Sequence, residues 1–398
     1  MATNTLLTPL MITRKALQIL HAKMNFIGNI NRQYDNSFAQ SGAKIGDSLR
    51  IRLPNQYTVR TGAILAPQDT IEKSVTLKID KQKGVDMSFS SAELTLSLDD
   101  FADRILEPAM SVLAASCEVD ALTMMADIPA TVGTPGTPIT DLLPYLLAKA
   151  QLDKNLAPPS QRTTMITPNM EAQIVNALKG LFQDSTSIAN QYKEGIMGRT
   201  AGSDWVSNTL IGPQVSGTAV TTALSISGAN QTGSQLLLAG FTIGDTLKRG
   251  QSFTIPGVFA VKPETLEVTG DLKRFSVATD FTATAATGTV LITTEIIPTG
   301  AYKNVSNAPA DTSILSFAAL AGSSVEQGML FHKDAFTFAT ADLVMPKGVD
   351  FSAREVMDGI SMRIVRAYDI NNDLFPCRID VLYGYKTLRN SQAVRILA

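Results

Sequence analysis

Between residues 212 and 316 the chain changes character, and no other feature limits its possible folds as much. Of its 41 threonines, 18 fall in this stretch, interspersed with Gly and Val and with few helix-favouring runs. Thr and Val suit a pleated, half-buried surface and Gly supplies turns, so the stretch predicts many short strands closed as a barrel or sandwich. The residues after Phe317 do not begin another independent unit. They return to strand patterns at 335–340, 362–367 and 377–382, the last two joined by the turn-forming Asp369-Ile370-Asn371-Asn372-Asp373. The β segment therefore reads as an insertion into a surrounding domain.

That surrounding domain mixes strands and helices. Leu49, Ile51 and Leu53 alternate with Ser48, Arg50 and Arg52, and Val75, Leu77 and Ile79 alternate with Thr76, Lys78 and Asp80. These predict two strands of a long hairpin, separated by about twenty residues that include Pro54, Asn55, Gly62 and Pro67. An isolated hairpin is marginal in water, so such a lobe gains most by lying on a neighbour. Arg50, Arg52 and Arg60 are its candidates for ion pairs between subunits. A third strand follows at Val85, Met87 and Phe89. A long helix is then expected from Asp99 through Phe101, Ile105, Ala109, Val112, Leu113, Val119, Leu122 and Met124, with a kink at Pro108 and a small-residue middle at 111–117. Shorter helices are expected at 141–152 and 169–181, the second capped by Thr167 with Pro168 at its first position, and a buried strand at 163–167. The order is α+β or mixed α/β, without the regular repeat of a doubly wound sheet. The first forty-odd residues read as an arm, with Leu17, Ile19 and Leu20 near Arg14, Lys15, His21 and Lys23. It is either a poorly ordered amphipathic terminus or a basic arm that meets a partner.

Composition narrows the chemistry. The 398 residues, 44% hydrophobic, suffice for two or three domains. Lys+Arg 34 against Asp+Glu 36 leaves a net charge of −2, which argues against a sequence-specific nucleic-acid binder with a basic face. Only 18% of residues are charged, which suits a surface largely neutral or covered by partners. Cys117 and Cys377 stand alone, without zinc or redox spacing, and read as reduced buried thiols. His21 and His332 are the only histidines, and neither a GxSxG elbow nor a P-loop occurs. Asp99/Asp100 and Asp369/Asp373 read as a helix start and a turn rather than an acid/base couple. The triplets at Asn230 and Asn304 are discounted as glycosylation sites, because the start MATNTLLTPLMITRKAL lacks a signal-peptide pattern. No run approaches the roughly 20 apolar residues of a membrane helix, and a soluble product of the cytoplasm is expected. No enzyme, cofactor or metal is expected. An enzyme without a linear motif and a β-rich tail or adhesin component remain as alternatives.

Several passages, in order, resemble one family. Gly198-Arg199-Thr200-Ala201-Gly202-Ser203-Asp204-Trp205, Phe331-His332-Lys333-Asp334-Ala335-Phe336, and Gly359-Ile360-Ser361-Met362-Arg363 through Tyr383-Gly384 are similar to core passages of the major capsid (coat) proteins of tailed double-stranded DNA bacteriophages. Leu247-Lys248-Arg249-Gly250-Gln251-Ser252-Phe253-Thr254-Ile255-Pro256-Gly257-Val258 resembles the short-tailed-phage subgroup with an inserted β-barrel. The resemblance implies the α+β tailed-phage major capsid fold. Its parts would be an N-terminal arm at 1–42, an extended β-hairpin loop at 43–91, and a peripheral domain with a spine helix at 92–160. The first part of an axial domain would occupy 161–211, the inserted β-barrel 212–316, and the axial remainder with the closing peripheral strands 317–398. It implies pentamers and hexamers of an icosahedral shell in the virion, assembled in the host bacterial cytoplasm. The partners implied are a scaffolding protein in the procapsid, a portal protein at one vertex, and packaged DNA on maturation, with no membrane. DNA contact would be non-specific, through Arg14, Lys15 and Lys23 on the inner face. One departure is the short segment 227–235, where the subgroup carries a long acidic loop that makes two-fold contacts. Distant members crosslink Lys to Asn, but nothing marks an acid catalyst near Lys73, Lys78, Lys81 or Lys83, which read as solvated or salt-bridging.

Overall fold

The structure is a computed structural model that describes residues 9–35, 48–65, 67–70, 72–90, 106–178, 199–219, 223–371 and 374–398. The expected helix start at Asp99, the helix end at 181, the hairpin base at 43–47, Gly198 and the turn residues Asn372 and Asp373 lie outside them. Two compact units emerge: Met1–Arg52, Ser74–Leu122 and Phe336–Leu388 form the first, and Leu53–Lys73, Thr123–Ala335 and Arg389–Ala398 the second.

In the first unit, the long strand Leu374–Thr387 pairs antiparallel with Phe336–Ala341, Ile360–Arg366 and Lys81–Ser90. Phe351–Met357 extends the sheet beyond Ile360–Arg366, and Asn31–Asp35 adds a parallel strand beside Phe336–Ala341. Among the described residues three helices accompany it: α1 (Pro9–Lys23), α2 (Asn25–Gly28) and α3 (Glu107–Leu122). Ile12, Thr13, Ala16, Leu17 and Leu20 form the buried side of α1, packed on α3 and on the strands Phe351–Met357 and Ile360–Arg366. Residues 9–35 are thus part of the folded unit, which corrects the reading of a poorly ordered terminus. Met110, Leu113, Ala114, Cys117 and Ala121 make the buried stripe of α3 at helical spacing. Val112 and Val119, expected within that stripe, are 67% and 46% exposed. Pro108 sits in the first turn, where its missing N–H has no intrahelical partner to lose, so α3 runs uninterrupted instead of kinking. With the following turn Thr123–Asp127, it makes a 21-residue stretch, Glu107–Asp127, long and apolar enough by length and composition to cross a membrane. That corrects the expectation that no run would qualify, although 56% of its apolar window is buried inside the protein. The buried Glu118 accepts the Phe26 N–H at 2.9 Å and so ties α2 to α3.

The hairpin stem belongs to the same unit. Ser48–Arg52 and Ser74–Lys78 pair antiparallel, with Ser48 opposite Lys78 and Arg52 opposite Ser74. Leu49 and Ile51 pack with Leu77 and Ile79 on Ala339, Ala341, Leu343 and Leu382. Gly384 permits this approach, because a Cβ there would stand 2.1 Å from the Lys78 carbonyl oxygen.

A sheet in the order Thr131–Val132, Ala393–Leu397, Gln327–His332, Arg162–Ile166, Ser203–Ser207, Arg199–Thr200 organises the second unit. Helices α4 (Leu143–Lys154) and α5 (Pro168–Leu178) cover it. As the sequence led us to expect, Thr167 caps α5, its hydroxyl accepting the Met170 N–H at 3.3 Å, and Pro168 opens the helix. Trp205 lies 4.6 Å from the Tyr145 ring and donates its indole N–H to the Thr200 carbonyl at 2.9 Å. Residues 219–315 close a separate apolar core that includes Leu236, Leu238, Phe253, Ile255, Phe275, Val290 and Leu315, ringed by antiparallel strands, of which Ser252–Val261, Val268–Ser276 and Thr287–Ile296 are longer than the short strands expected. Its two ends meet at a neck. Gln214–Val215 pairs with Ser324–Val325, Ser216 N–H donates to Ser323 O at 2.8 Å, and Gly322 N–H to Gly217 O at 2.8 Å.

Candidate functional site

His332 is buried, its Nδ1 accepts the Asp334 N–H at 3.2 Å, and burial lowers its pKa, so it is neutral at pH 7. The side chain of His21 lies outside the described ones. Burial pushes the Cys117 thiol up to about 12 and the Cys377 thiol up to about 11, which makes both poor nucleophiles. Among the described residues no group of three metal-ligating side chains occurs. The second unit holds a cleft of about 640 Å³ lined by Lys154, Asn155, Asp271, Lys273, Arg274 and Asn390. In it Lys154 pairs with Asp271 at 2.5 Å and Arg274 donates to the Thr131 hydroxyl at 3.1 Å, so two of its cations are already engaged.

The more informative surface is the hairpin lobe. Along its stem Leu49 and Ile51 face the core while Ser48, Arg50 and Arg52 are exposed, as the alternation predicts. Arg50 Nε donates to the Ser74 hydroxyl at 2.8 Å, which orients one guanidinium along the outer face. Past the stem, side chains take over from the strand ladder. Gln68 accepts the Thr58 N–H and hydroxyl, both at 2.8 Å, and donates to the Thr58 carbonyl, while Tyr57 and Thr70 hydroxyls lie 3.4 Å apart. Arg60 donates to the Gly62 carbonyl and remains exposed. The same segment carries exposed apolar side chains: Val59, Ile64 and Leu65 are 93%, 87% and 79% exposed.

The cations of α1 are largely engaged within the first unit. Arg14 lies 3.4 Å from Glu355 and Lys23 lies 3.3 Å from Glu107, while Lys15 is exposed. The lysines of the hairpin region form ion pairs. Lys83 stands 2.9 Å from Asp120 and donates to the Ser116 hydroxyl at 2.8 Å, Lys78 pairs with Asp80 at 3.3 Å, and Lys73 with Glu295 at 3.5 Å. Lys81 donates to the Tyr385 hydroxyl and lies 3.6 Å from Asp120. Burial alone would raise the Asp120 pKa, but hydrogen bonds from Lys83 and Tyr383 and the two lysine charges hold it below the ordinary carboxylate value. This network pins strand Lys81–Ser90 to α3.

Sequence reasoning missed several buried charges, among them Arg395. Arg395 is 1% exposed, with Nε donating to Ile128 O (3.0 Å), Nη1 to Gln214 Oε1 (2.8 Å) and Nη2 to Gly250 O (2.6 Å). It fastens the neck and the 219–315 core to the central sheet. The available signal was a lone arginine inside the apolar run Ala393-Val394-Arg395-Ile396-Leu397.

Comparison with known families assigns the chain directly. The family model described as P22 coat protein, gene protein 5, matches residues 1–394. The chain belongs to the P22 coat protein family. It is therefore a major capsid protein of a tailed phage, a structural component of the virion capsid with the α+β fold of that group and its inserted all-β domain. Coat proteins of this family assemble with their own kind into capsid shells. Solved structures similar to this coat protein include one from Mycobacterium phage Che8, 13% identical over 94% of this chain and 90% of that chain, with TM-score 0.46. The mature capsid of bacteriophage PhiM1 is 11% identical over 94% and 86%, with TM-score 0.45. The CUS-3 coat protein I-domain is 25% identical over 24% of this chain and 96% of that chain, with TM-score 0.19. A search of the curated proteins finds no match.

Proposed function

We propose that this coat protein builds the pentamers and hexamers of an icosahedral shell, first as a procapsid around a scaffolding protein with a portal at one vertex. In this reading the shell expands as double-stranded DNA is packaged, and assembly takes place in the host bacterial cytoplasm. The hairpin lobe carries the reading. Leu49 and Ile51 anchor its stem, Tyr57 is 58% and Val59 93% exposed, and Arg50, Arg52 and Arg60 are exposed as well. Apolar side chains flanked by arginine are the composition of a protein interface, and a neighbouring subunit is what would cover them. Each such contact is modest. Repeated around every copy, the contacts add by multivalency, so a closed shell forms while errors remain correctable.

The parts take the roles the family resemblance implies: arm 1–42, extended loop 43–91, peripheral domain with spine helix 92–160, axial domain 161–211 and 317–398 with the closing peripheral strands, and inserted barrel 212–316. DNA contact falls chiefly to Lys15, because Arg14 and Lys23 already face Glu355 and Glu107. The test replaces Arg50, Arg52 and Arg60 together with Ser and counts shells by electron microscopy. Shell yield should drop while the subunit keeps its melting temperature; an unchanged yield removes the three arginines from the interface.

A further inference from the structure

Helix α4 is apolar on two opposite sides. Tyr145, Ala148 and Leu152 are 2%, 0% and 0% exposed and face the core that holds Trp205 and Ile174. Leu143, Leu146 and Leu147 are 54%, 44% and 48% exposed, and Ala150 is exposed as well. The spacing i, i+3, i+4, i+7 makes these four one continuous stripe, half a turn round the helix from the buried set. A helix lying on a protein surface carries charges at such positions, whereas one apolar on all sides is normally covered. Charges frame the stripe without interrupting it. Asp141 precedes it, Lys149 and Asp153 pair on its flank at 3.0 Å, and Lys154 at its far end pairs with Asp271 at 2.5 Å. An apolar centre with a satisfied polar rim is the anatomy of a protein–protein contact. The leucines project from the convex side of a helix and are not among the residues of the 640 Å³ cleft, so a broad protein surface suits them better than a small ligand.

We infer that a second copy of this chain covers the Leu143–Leu146–Leu147–Ala150 stripe in the assembled shell. The inference rests on the assembly reading above. A coat protein that closes into a shell meets other copies of itself over much of its surface, and an apolar stripe left bare in the subunit is what such a meeting would bury. In a ring of copies the contact is heterologous, the stripe of one subunit meeting a different patch on the next.

The test uses the full chain, expressed in bacteria with a scaffolding protein. Leu146→Gln together with Leu147→Gln should leave the melting temperature of the soluble subunit unchanged and cut shell yield by more than about tenfold, since a small loss is repeated at every copy. Equal shell yield from the variant and the wild type overturns the inference. A second variant decides the matter if the double variant does not fold. Leu147→Cys, labelled with a thiol-directed photocrosslinker that the buried Cys117 and Cys377 do not take up, should give covalent dimers in shells and monomers in unassembled subunits. Monomers alone in intact shells overturn the inference. Failure of the wild-type chain to form shells at all overturns the assembly reading and this inference with it.

Discussion

Replacing Arg395 with methionine should destabilise the second unit by several kcal/mol. The guanidinium is 1% exposed and donates to acceptors on three separate segments, at Ile128, Gln214 and Gly250. Burial pushes its pKa down to about 10, against the opposing pull of Asp127, so it still carries its proton at neutral pH. Methionine fills part of the same volume but donates nothing, and three buried acceptors lose their partner together. Each orphaned acceptor costs about 1–3 kcal/mol, and relief from holding a charge out of water offsets part of the sum. A net loss of about 3–5 kcal/mol follows. Arg395→Lys should fall between the two, because one ammonium keeps the charge but cannot span three directions as a planar fork does. Trp205, the only tryptophan, is buried in the same unit and reports its unfolding. Its fluorescence during urea titration of unassembled subunits should show the midpoint lowered by about 1–2 M. A methionine variant within about 1 kcal/mol of the wild type would refute the reasoning, since it would mean that the three acceptors find other donors at little cost.

Three further expectations concern the rest of the chain. Asp120 has a folded-state pKa below its ordinary 3.8, so its contribution is complete above that value and lost as pH falls through the lower one. Asp120→Asn should therefore lower the melting temperature at pH 7 and lose its difference from the wild type in strong acid; a pH-independent difference would count against the ion-pair account. Gly384→Ala places a Cβ 2.1 Å from the backbone oxygen of Lys78 and should destabilise the hairpin stem by about 1–3 kcal/mol, seen as faster amide exchange at Leu77 and Ile79. Leu156 follows the last turn of α4 with φ +58°, a conformation that suits glycine, so Leu156→Gly should stabilise the subunit by about 1 kcal/mol in a thermal melt.

What could be read from the sequence was local, and what could not depended on partners far along the chain. The cap at Thr167 and Pro168 and the alternation of Leu49 and Ile51 with Arg50 and Arg52 are determined within a few residues, and both appear as expected. The threonine-rich stretch likewise announces strands, because its preference is repeated many times over, although three of them run longer than the short strands expected. Asn31–Asp35 gives no such signal. Its polar residues form a strand only because Phe336–Ala341 offers a free edge some three hundred residues later. The buried side of α3 was misjudged at Val112 and Val119, since an Ala/Ser/Cys-rich helix offers several apolar stripes and only its neighbours select one. Of the candidate site, the exposure of the hairpin arginines was legible from period two, while the engagement of Arg14 and Lys23 by Glu355 and Glu107 was not. Arg395 was out of reach for a further reason: two of its three acceptors are main-chain carbonyls, which no residue type encodes.

The neck between Gln214–Val215 and Ser324–Val325 also bears on the order in which the chain can fold. Strand Gln327–His332 must find Arg162–Ile166 across roughly 160 residues of intervening chain. If residues 217–322 first collapse on their own core, the neck joins 216 to 323 and the loop still to be closed shrinks to roughly 55 residues. Closure entropy grows as the logarithm of loop length, so the barrier to pairing these two central strands falls by about 1 kcal/mol, or about fivefold in rate. A segment that contributes no strand to the central sheet thereby acts as a clasp, shortening the search by which that sheet is completed.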